Sequence, residues 1–243
     1  MTEPSAPHDG RALAAFLDRR DERSFETIVE RHGGMVLRVC YQVLGQTQDA
    51  EDAAQAVFLI LARKAPTLRD RPSAGPWLHR VAHDIAINAR RQRAARTALE
   101  RKATNMETPR RHTSEGVLEL HDELARLPRR YHQALVLFHL ENRSLEETAA
   151  ALRCPENTAK SWLARGRELL RVRLARRGVV LSLGGLLALL SVESKTAGAA
   201  EVSSSFVSAI SIAQNVPSRR GNLKSEPWNQ TGAHQPLEGR RAP

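Results

Sequence analysis

Aromatic side chains are scarce in this chain of 243 residues, at 4%, and cysteine occurs only twice. Ala, Leu, Arg and Glu, all good helix formers, dominate instead, so an all-helical protein is the expectation. Cys40 and Cys154 sit in apolar or turn contexts with no metal-ligand spacing between them. A disulfide framework is excluded and a reduced, cytoplasmic setting is expected. The opening MTEPSAPHDG has no charged start leading into an apolar run, so no secretory signal is expected. The apolar run from Val179 to Val192 falls short of the roughly 20 residues of a membrane-spanning helix. It reads as a short helix that docks on the protein, meets a partner or touches a membrane. There is no HExxH setting, no glycine-rich phosphate loop with its lysine and no Ser-His-Asp arrangement. His79, His83, His112, His121, His132 and His139 lie on distinct segments; His79 and His83 share a helical face but lack a third ligand. Enzymatic chemistry has no candidate residues, and no cofactor is expected. No repeat of 20 to 50 residues is present.

What the chain does have is positive charge. The formal net charge is +10 and the isoelectric point about 10.6. Its basic residues are clustered, which points to a polyanionic partner, nucleic acid before membrane surface. With 41% hydrophobic residues the chain can bury real cores, and its length fits one or two domains.

Apolar periodicity predicts helix after helix from Arg11 to Arg96. Phe25, Ile28, Val29 and His32 share a face; after Gly33 and Gly34, Val36, Val39 or Cys40, Val43 and Leu44 resume the period up to Gly45. Two short helices joined at the glycine pair are predicted. A further helix spans Asp49 to Lys64, with Ala53, Ala56, Val57, Ile60 and Leu61 inward and Pro66 just past its end. Its first turn carries Asp49, Glu51 and Asp52, where the helix dipole favours negative charge. A loop rich in proline and glycine leads to a helix from Trp77 to Arg96. Trp77, Leu78, Val81 and Ile85 form its stripe and ARRQRAAR its end. The polar stretch 97–116 reads as an interdomain linker. Val117, Leu120, Leu124 and Leu127 then fall in register, and Pro128 opens a new helix at YHQALVLFHL. From Pro217 onward the composition is that of a disordered tail.

The most informative stretch is Leu145 to Leu174. LEETAAALR, a tight CPEN turn and the basic run TAKSWLARGRELLRVRL have the layout of a helix-turn-helix. Ala149 and Ala150 let a second helix approach closely. In that helix Trp162 or Leu163, Leu169, Leu170 and Leu174 supply an apolar face, while Lys160, Ser161, Arg165 and Arg167 supply one for nucleic acid.

Three phrases, in order and spacing, resemble the extracytoplasmic-function sigma factors of the sigma-70 family. They are LGQTQDAEDAAQAVFLILARKA, WLHRVAHDIAINARRQRAAR and LARLPRRYHQALVLFHLENRSLEETAAALRCPENTAKSWLARGRELL, and the similarity covers roughly Ser24 to Arg177. The resemblance implies a dissociable initiation subunit of bacterial RNA polymerase, all-α, with two helical domains joined by a flexible linker. Residues 11–96 would bind core polymerase and the minus-ten promoter element, residues 117–177 the minus-thirty-five element, and 178–243 would form a C-terminal extension open to an anti-sigma factor or other regulator. By the same similarity Asp49, Glu51, Asp52, Gln55 and Phe58 would address the polymerase. Trp77, His79, Arg80, His83, Asp84, Asn88, Arg90, Arg91 and Arg93 would open and read the minus-ten element, Trp77 more as core than as stacking platform. Thr158, Lys160, Ser161, Trp162, Arg165 and Arg167 would read the minus-thirty-five element, with Arg171, Arg173 or Arg176 on phosphates.

The chain departs from the family pattern at several points. Ala56 stands where an acid is usual, and Asp84 and Asn88 exchange the usual Asn and Asp. Arg153 and Asn157 replace glycines, Trp162 replaces an arginine, and Gly166 sits inside a helix. A left-handed Arg153 would cost roughly 1 to 2 kcal/mol. The rival reading is a helix-turn-helix regulator that binds DNA without polymerase; it leaves the acidic helix and the tryptophan-led helix without a joint purpose.

Overall fold

Residues 9–19, 21–104 and 115–191 are described by the computed structural model. Every regular element among them is helical. The first, α1 (Asp9–Arg19), leads into α2 (Glu22–Leu44). α2 runs unbroken through Gly33 and Gly34, where a break is expected from sequence. Each glycine costs a helix about 1 kcal/mol relative to alanine. Phe25, Ile28, Val29, Met35, Val36, Val39, Cys40 and Val43 are buried along the same rod, and each large apolar side chain removed from water contributes about 1.5 to 3 kcal/mol, so burial wins. α3 (Thr47–Leu68) likewise outruns its expected end. Pro66 lies inside its last turn, and the helix continues because Ala65 and Leu68 are both buried.

α4 (Gly75–Thr104) buries Leu78, Ala82 and Ala86 against α2 and α3. It carries helix eight residues past Arg96, and α5 (Glu115–Ala125) begins one residue before Gly116, so both ends of the expected linker are helical. Residues 105–114 lie outside the described residues, as do 192–243 with the expected disordered tail.

α5 presents Leu120 and Leu124, and Leu127 follows in register, all buried as the periodicity predicts. α6 (Arg129–Leu135) passes into a π-helical turn, Val136–Leu140, closed by the Glu141 N–H donating to the Val136 carbonyl at 3.0 Å. Sequence periodicity predicts an ordinary helix here and misses the turn. α7 (Leu145–Leu152) and α8 (Glu156–Arg176) form the helix-turn-helix. Gly166 of α8 is buried on α6: a Cβ there would lie 3.2 Å from the Tyr131 Cβ and 3.3 Å from Leu135 Cδ1. The glycine that looks costly by propensity is what lets the two helices touch. α9 (Leu183–Ser191) docks on α8 and the π turn, with Leu186 and Leu190 fully buried. Of the readings open for this apolar run, docking is the one observed. No helix among the described residues is long and apolar enough to cross a membrane.

The two sets of helices, α1–α4 and α5–α8, share one continuous apolar cluster. At one end of their seam lies Asp9, 1% exposed. It accepts from Arg31, from His32 Nε2 at 2.8 Å and from the Ala74 N–H at 2.7 Å. Burial would raise the Asp9 pKa, but these donors outweigh it and hold the carboxyl well below its usual range. His32 Nδ1 in turn lies 3.6 Å from Glu141 Oε1, across the seam. Glu141 sits where a side chain on Gly75 would be, so position 75 admits only glycine without displacing it.

Gly166→Val places two further methyl groups against Tyr131 and Leu135. Overpacking of this kind costs about 1 to 3 kcal/mol, and thermal unfolding followed by circular dichroism is expected to show a lowered midpoint.

Candidate nucleic-acid interface

The helix-turn-helix is built from local signals. Ser144 caps α7 through a reciprocal pair: the Glu147 N–H donates to Ser144 Oγ at 3.1 Å, and the Ser144 N–H donates to Glu147 Oε2 at 2.8 Å. Arg153 ends the helix at φ 53° and ψ 46°, left-handed as expected of a residue in the turn glycine's place. Asn157 is not in the turn at all: it belongs to the first turn of α8, where its carbonyl accepts from Ser161 Oγ at 2.9 Å. Among the described residues, the other non-glycine residue with a positive φ is Asn142, before α7.

α8 turns Ala159, Leu163, Gly166, Leu170 and Leu174 inward. Leu163 rather than Trp162 fills the core position; Trp162 is half-buried at its edge. Lys160, Ser161 and Arg165 are exposed on the opposite side and Thr158 is half-buried beside them. Arg167 is drawn back onto the protein, where its Nε donates to His139 Nε2 at 3.1 Å and its guanidinium lies 5.7 Å from the Phe138 ring centre. Burial and then the Arg167 charge push the His139 pKa down to about 4. Arg171 pairs with Glu168, and Arg173 and Arg177 reach back to Glu123.

α4 divides its predicted readers between two environments. Asp84, Asn88, Arg90, Arg91 and Arg93 are exposed. Trp77 is half-buried against the core, as expected. His79 is fully buried between His121 of α5 and His132 of α6, and His83, 5% exposed, lies beside Asp122 of α5. Arg80, half-buried, donates to the Leu127 carbonyl at 3.3 Å. An open cleft of about 970 Å³ runs beside this stretch, lined by Arg80, Asp84, Asn88, Arg91, Arg126 and Arg129.

His79 is the centre of a chain of rings. Its Nδ1 lies 3.1 Å from His132 Nε2, its Nε2 lies 3.2 Å from His121 Nδ1, and His121 Nε2 meets the side-chain carbonyl of Gln42. With Gln42 as acceptor, His121 donates from Nε2 and accepts at Nδ1, so His79 donates from Nε2 and accepts at Nδ1 from His132. The rings run in line and do not converge on a point; among the described residues no group of three or more His, Cys, Asp and Glu side chains is placed to hold a metal. Burial, followed by the neighbouring rings and Arg80, holds the pKa of His79 well below the ordinary histidine value. His132 is lowered as far, by burial and then Arg80 and His83.

On α3, Glu51 and Asp52 are exposed, Gln55 is half-buried, and Phe58 is fully buried behind them. Asp49 and Gln46 both accept from Arg93 of α4, so the acidic turn and the basic helix are tied together. Sequence reasoning puts these residues in separate roles and misses the tie, since a contact spanning 44 positions leaves no local periodicity.

These features define a helical protein with a helix-turn-helix in its second half and a basic helix beside an acidic turn in its first. Residues 28–96 match the Sigma-70 region 2 family and residues 118–170 match the Sigma-70, region 4 family. The chain is 31% identical over 183 residues to the ECF RNA polymerase sigma factor SigE of Mycolicibacterium smegmatis, covering 72% of this chain and 71% of that protein. It is 26% identical over 169 residues to the ECF RNA polymerase sigma factor SigW of Bacillus subtilis (strain 168), covering 63% and 90%. A similar relation, 28% over 168 residues and covering 69% and 83%, links it to ECF RNA polymerase sigma factor SigM of Mycobacterium tuberculosis. The chain belongs to the ECF sigma factors of the sigma-70 family.

Arg153→Gly removes the left-handed penalty of roughly 1 to 2 kcal/mol and loses only a 3.4 Å bond from Arg153 to the Asp70 carbonyl. Chemical denaturation is expected to show a gain in stability of about 1 kcal/mol.

Proposed function

We propose that the chain is the dissociable subunit that directs bacterial core RNA polymerase to particular promoters, with separate surfaces for the enzyme and for two stretches of DNA. Residues 11–96 form one working domain and 117–177 the other. Glu51, Asp52 and Gln55, exposed or half-exposed on α3 over the buried Phe58, meet the polymerase, with Asp49 at their edge. Carboxylates repel phosphates, so an acidic patch on a chain of net charge +10 suits a protein partner better than DNA.

The α4 residues Asn88, Arg90, Arg91 and Arg93, joined by Asp84, address the minus-ten element. Holding melted bases must offset on the order of 1.4 kcal/mol of stacking per base-pair step, and a cationic groove with hydrogen-bonding side chains supplies that capture. His79, Arg80 and His83 extend this surface once α5 and α6 are moved off it. Thr158, Lys160, Ser161, Trp162 and Arg165 on α8 address the minus-thirty-five element. Arg167 joins them only if it leaves His139. The reading rests on one observation above all: the two family regions occur in order, and each exposes a basic helix face whose opposite side is core.

Arg165→Ala is expected to reduce promoter-specific initiation by the equivalent of about 1 to 3 kcal/mol, with a smaller loss of nonspecific DNA binding; equal losses in runoff transcription and filter binding would rule out base reading by Arg165. Asp52→Lys is expected to weaken association with purified core polymerase by roughly tenfold, about 1.4 kcal/mol. Titration by fluorescence anisotropy measures this, and unchanged affinity would remove α3 from the polymerase surface.

A further inference from the structure

Part of the α4 surface assigned to promoter DNA is occupied by the protein itself. His79 and His83 are buried under α5 and α6, and Arg80 is engaged by the Leu127 carbonyl. Beside the apolar contact between the two sets, the cover is held by the line of imidazoles from His132 through His79 to His121, whose burial disfavours a charge on His79 and His132. Each link uses one N–H facing one bare nitrogen. A proton added to His79 puts a cation at a fully buried point with both ring nitrogens already taken by other imidazoles.

The groups around that point offer little compensation. From α4 come Arg80, His83 and Asp84; from α5, His121 and Asp122; from α6, Arg129 and His132. Arg80 and Arg129 already repel one another. Asp122 is turned to Arg126 and to Arg177, at 3.2 Å and 2.6 Å, with His83 Nε2 farther off at 3.8 Å, and Asp84 lies 3.5 Å from His83 Nδ1. Among the described residues, the charged groups that act on His79 and His132 are other imidazoles and Arg80, all of which disfavour a positive ring.

We propose that this seam is a proton-released latch: near neutral pH the neutral rings of His79 and His132 hold α4 against α5 and α6, and acidification opens the chain and uncovers the Arg80–His83 stretch for nucleic acid. The proposal rests on the assignment of that stretch to DNA only for its consequence; the opening stands on the seam itself.

The sign follows from which form binds protons. In an opened chain both rings titrate near the ordinary value of about 6.5. In the closed chain they stay neutral to lower pH. Above about 6.5 both forms are neutral and closure is undisturbed; below it the open form takes up protons that the closed form does not, and closure weakens. Two such groups favour opening by up to about a hundredfold at one unit below 6.5. His32, at the other end of the seam, acts oppositely. Burial would lower its pKa, but Glu141 and then Asp9 outweigh burial and Arg143 and raise it. Its contribution is complete below about 6.5 and is lost as pH rises through the raised value. Closure is therefore strongest close to neutrality, and the acid limb belongs to His79 and His132.

Small-angle scattering of the full chain at fixed, high ionic strength, with circular dichroism alongside, tests this between pH 7.5 and 5.5. The expected result is a radius of gyration that grows on acidification at constant helicity. In His79→Gln/His132→Gln the amides keep a donor and an acceptor without titrating, and the chain is expected to stay compact at pH 5.5. His79→Arg, charged throughout, is expected to be expanded already at pH 7.5. An unchanged radius in the native chain, or an equal expansion with the same midpoint in the double variant, overturns the latch. Should the variants lose helicity, nitrogen-15 spectra of the native chain decide: His79 and His132 are expected as neutral Nε2–H tautomers at pH 6.5, and protonated rings in a compact chain at that pH overturn it. Scattering involves neither DNA nor polymerase. A latch that opens while Arg80→Ala leaves promoter melting intact would remove only the DNA assignment.

Discussion

The packing of α4 against both sets of helices is the constraint on which the rest depends. Leu78, Ala82 and Ala86 bury one side of α4 in the first set, and His79 and His83, a quarter-turn away, are buried by the second. One helix thus packs on both sets while its remaining face carries Asn88, Arg90, Arg91 and Arg93 into solvent. A side chain cannot be buried in protein and read DNA at once, so the proposed reading of DNA by His79 and His83 requires the second set to leave α4.

The seam sets buried polar groups beside the apolar contact that joins the two sets. Buried polar groups are stabilising only when satisfied; the links of the imidazole line, Asp9 and the Arg143 bond to Ser73 at 3.2 Å meet that condition, while His32 Nδ1 and Glu141 Oε1 face each other at 3.6 Å without a hydrogen bond. Separation exposes groups that water can also satisfy, which makes such a contact specific but reversible. The cores on either side are apolar and carry the folding stability. The docked α9 adds Leu186 and Leu190 to the second of them, extending the family's region 4 rather than forming a separate body.

Local pattern made much of this legible. The stripes of α2, α5 and α8, the acidic first turn of α3 and the helix-turn-helix all follow from spacing, while the strained Arg153 follows from the resemblance, which puts a glycine at that turn. The unbroken α2 and the proline within α3 did not follow, because propensity is a small term and burial, decided by distant partners, a large one. Arg167 read as a DNA contact because it is basic and near the exposed arc of α8; its attachment to His139 crosses 28 positions. The histidine line is the clearest case. His79 neighbours the apolar positions Leu78 and Ala82, His121 follows Leu120, and His132 follows Tyr131, so each ring hugs a core stripe. That was the available signal, but only the fold brings three separate stripes together. Gly166 carried a comparable signal, a costly residue at a position where helices touch.

Under the proposed function the surfaces divide by charge, acid for an enzyme and base for a template, and under the proposed latch the seam decides when the template face is complete. The direct test is the distance between spin labels placed on exposed positions of α4 and α8, measured in the free chain at neutral pH and again with core polymerase and a promoter fragment. The account predicts one short distance in the free chain and a longer one in the complex. The same short distance in a complex that initiates transcription would contradict it.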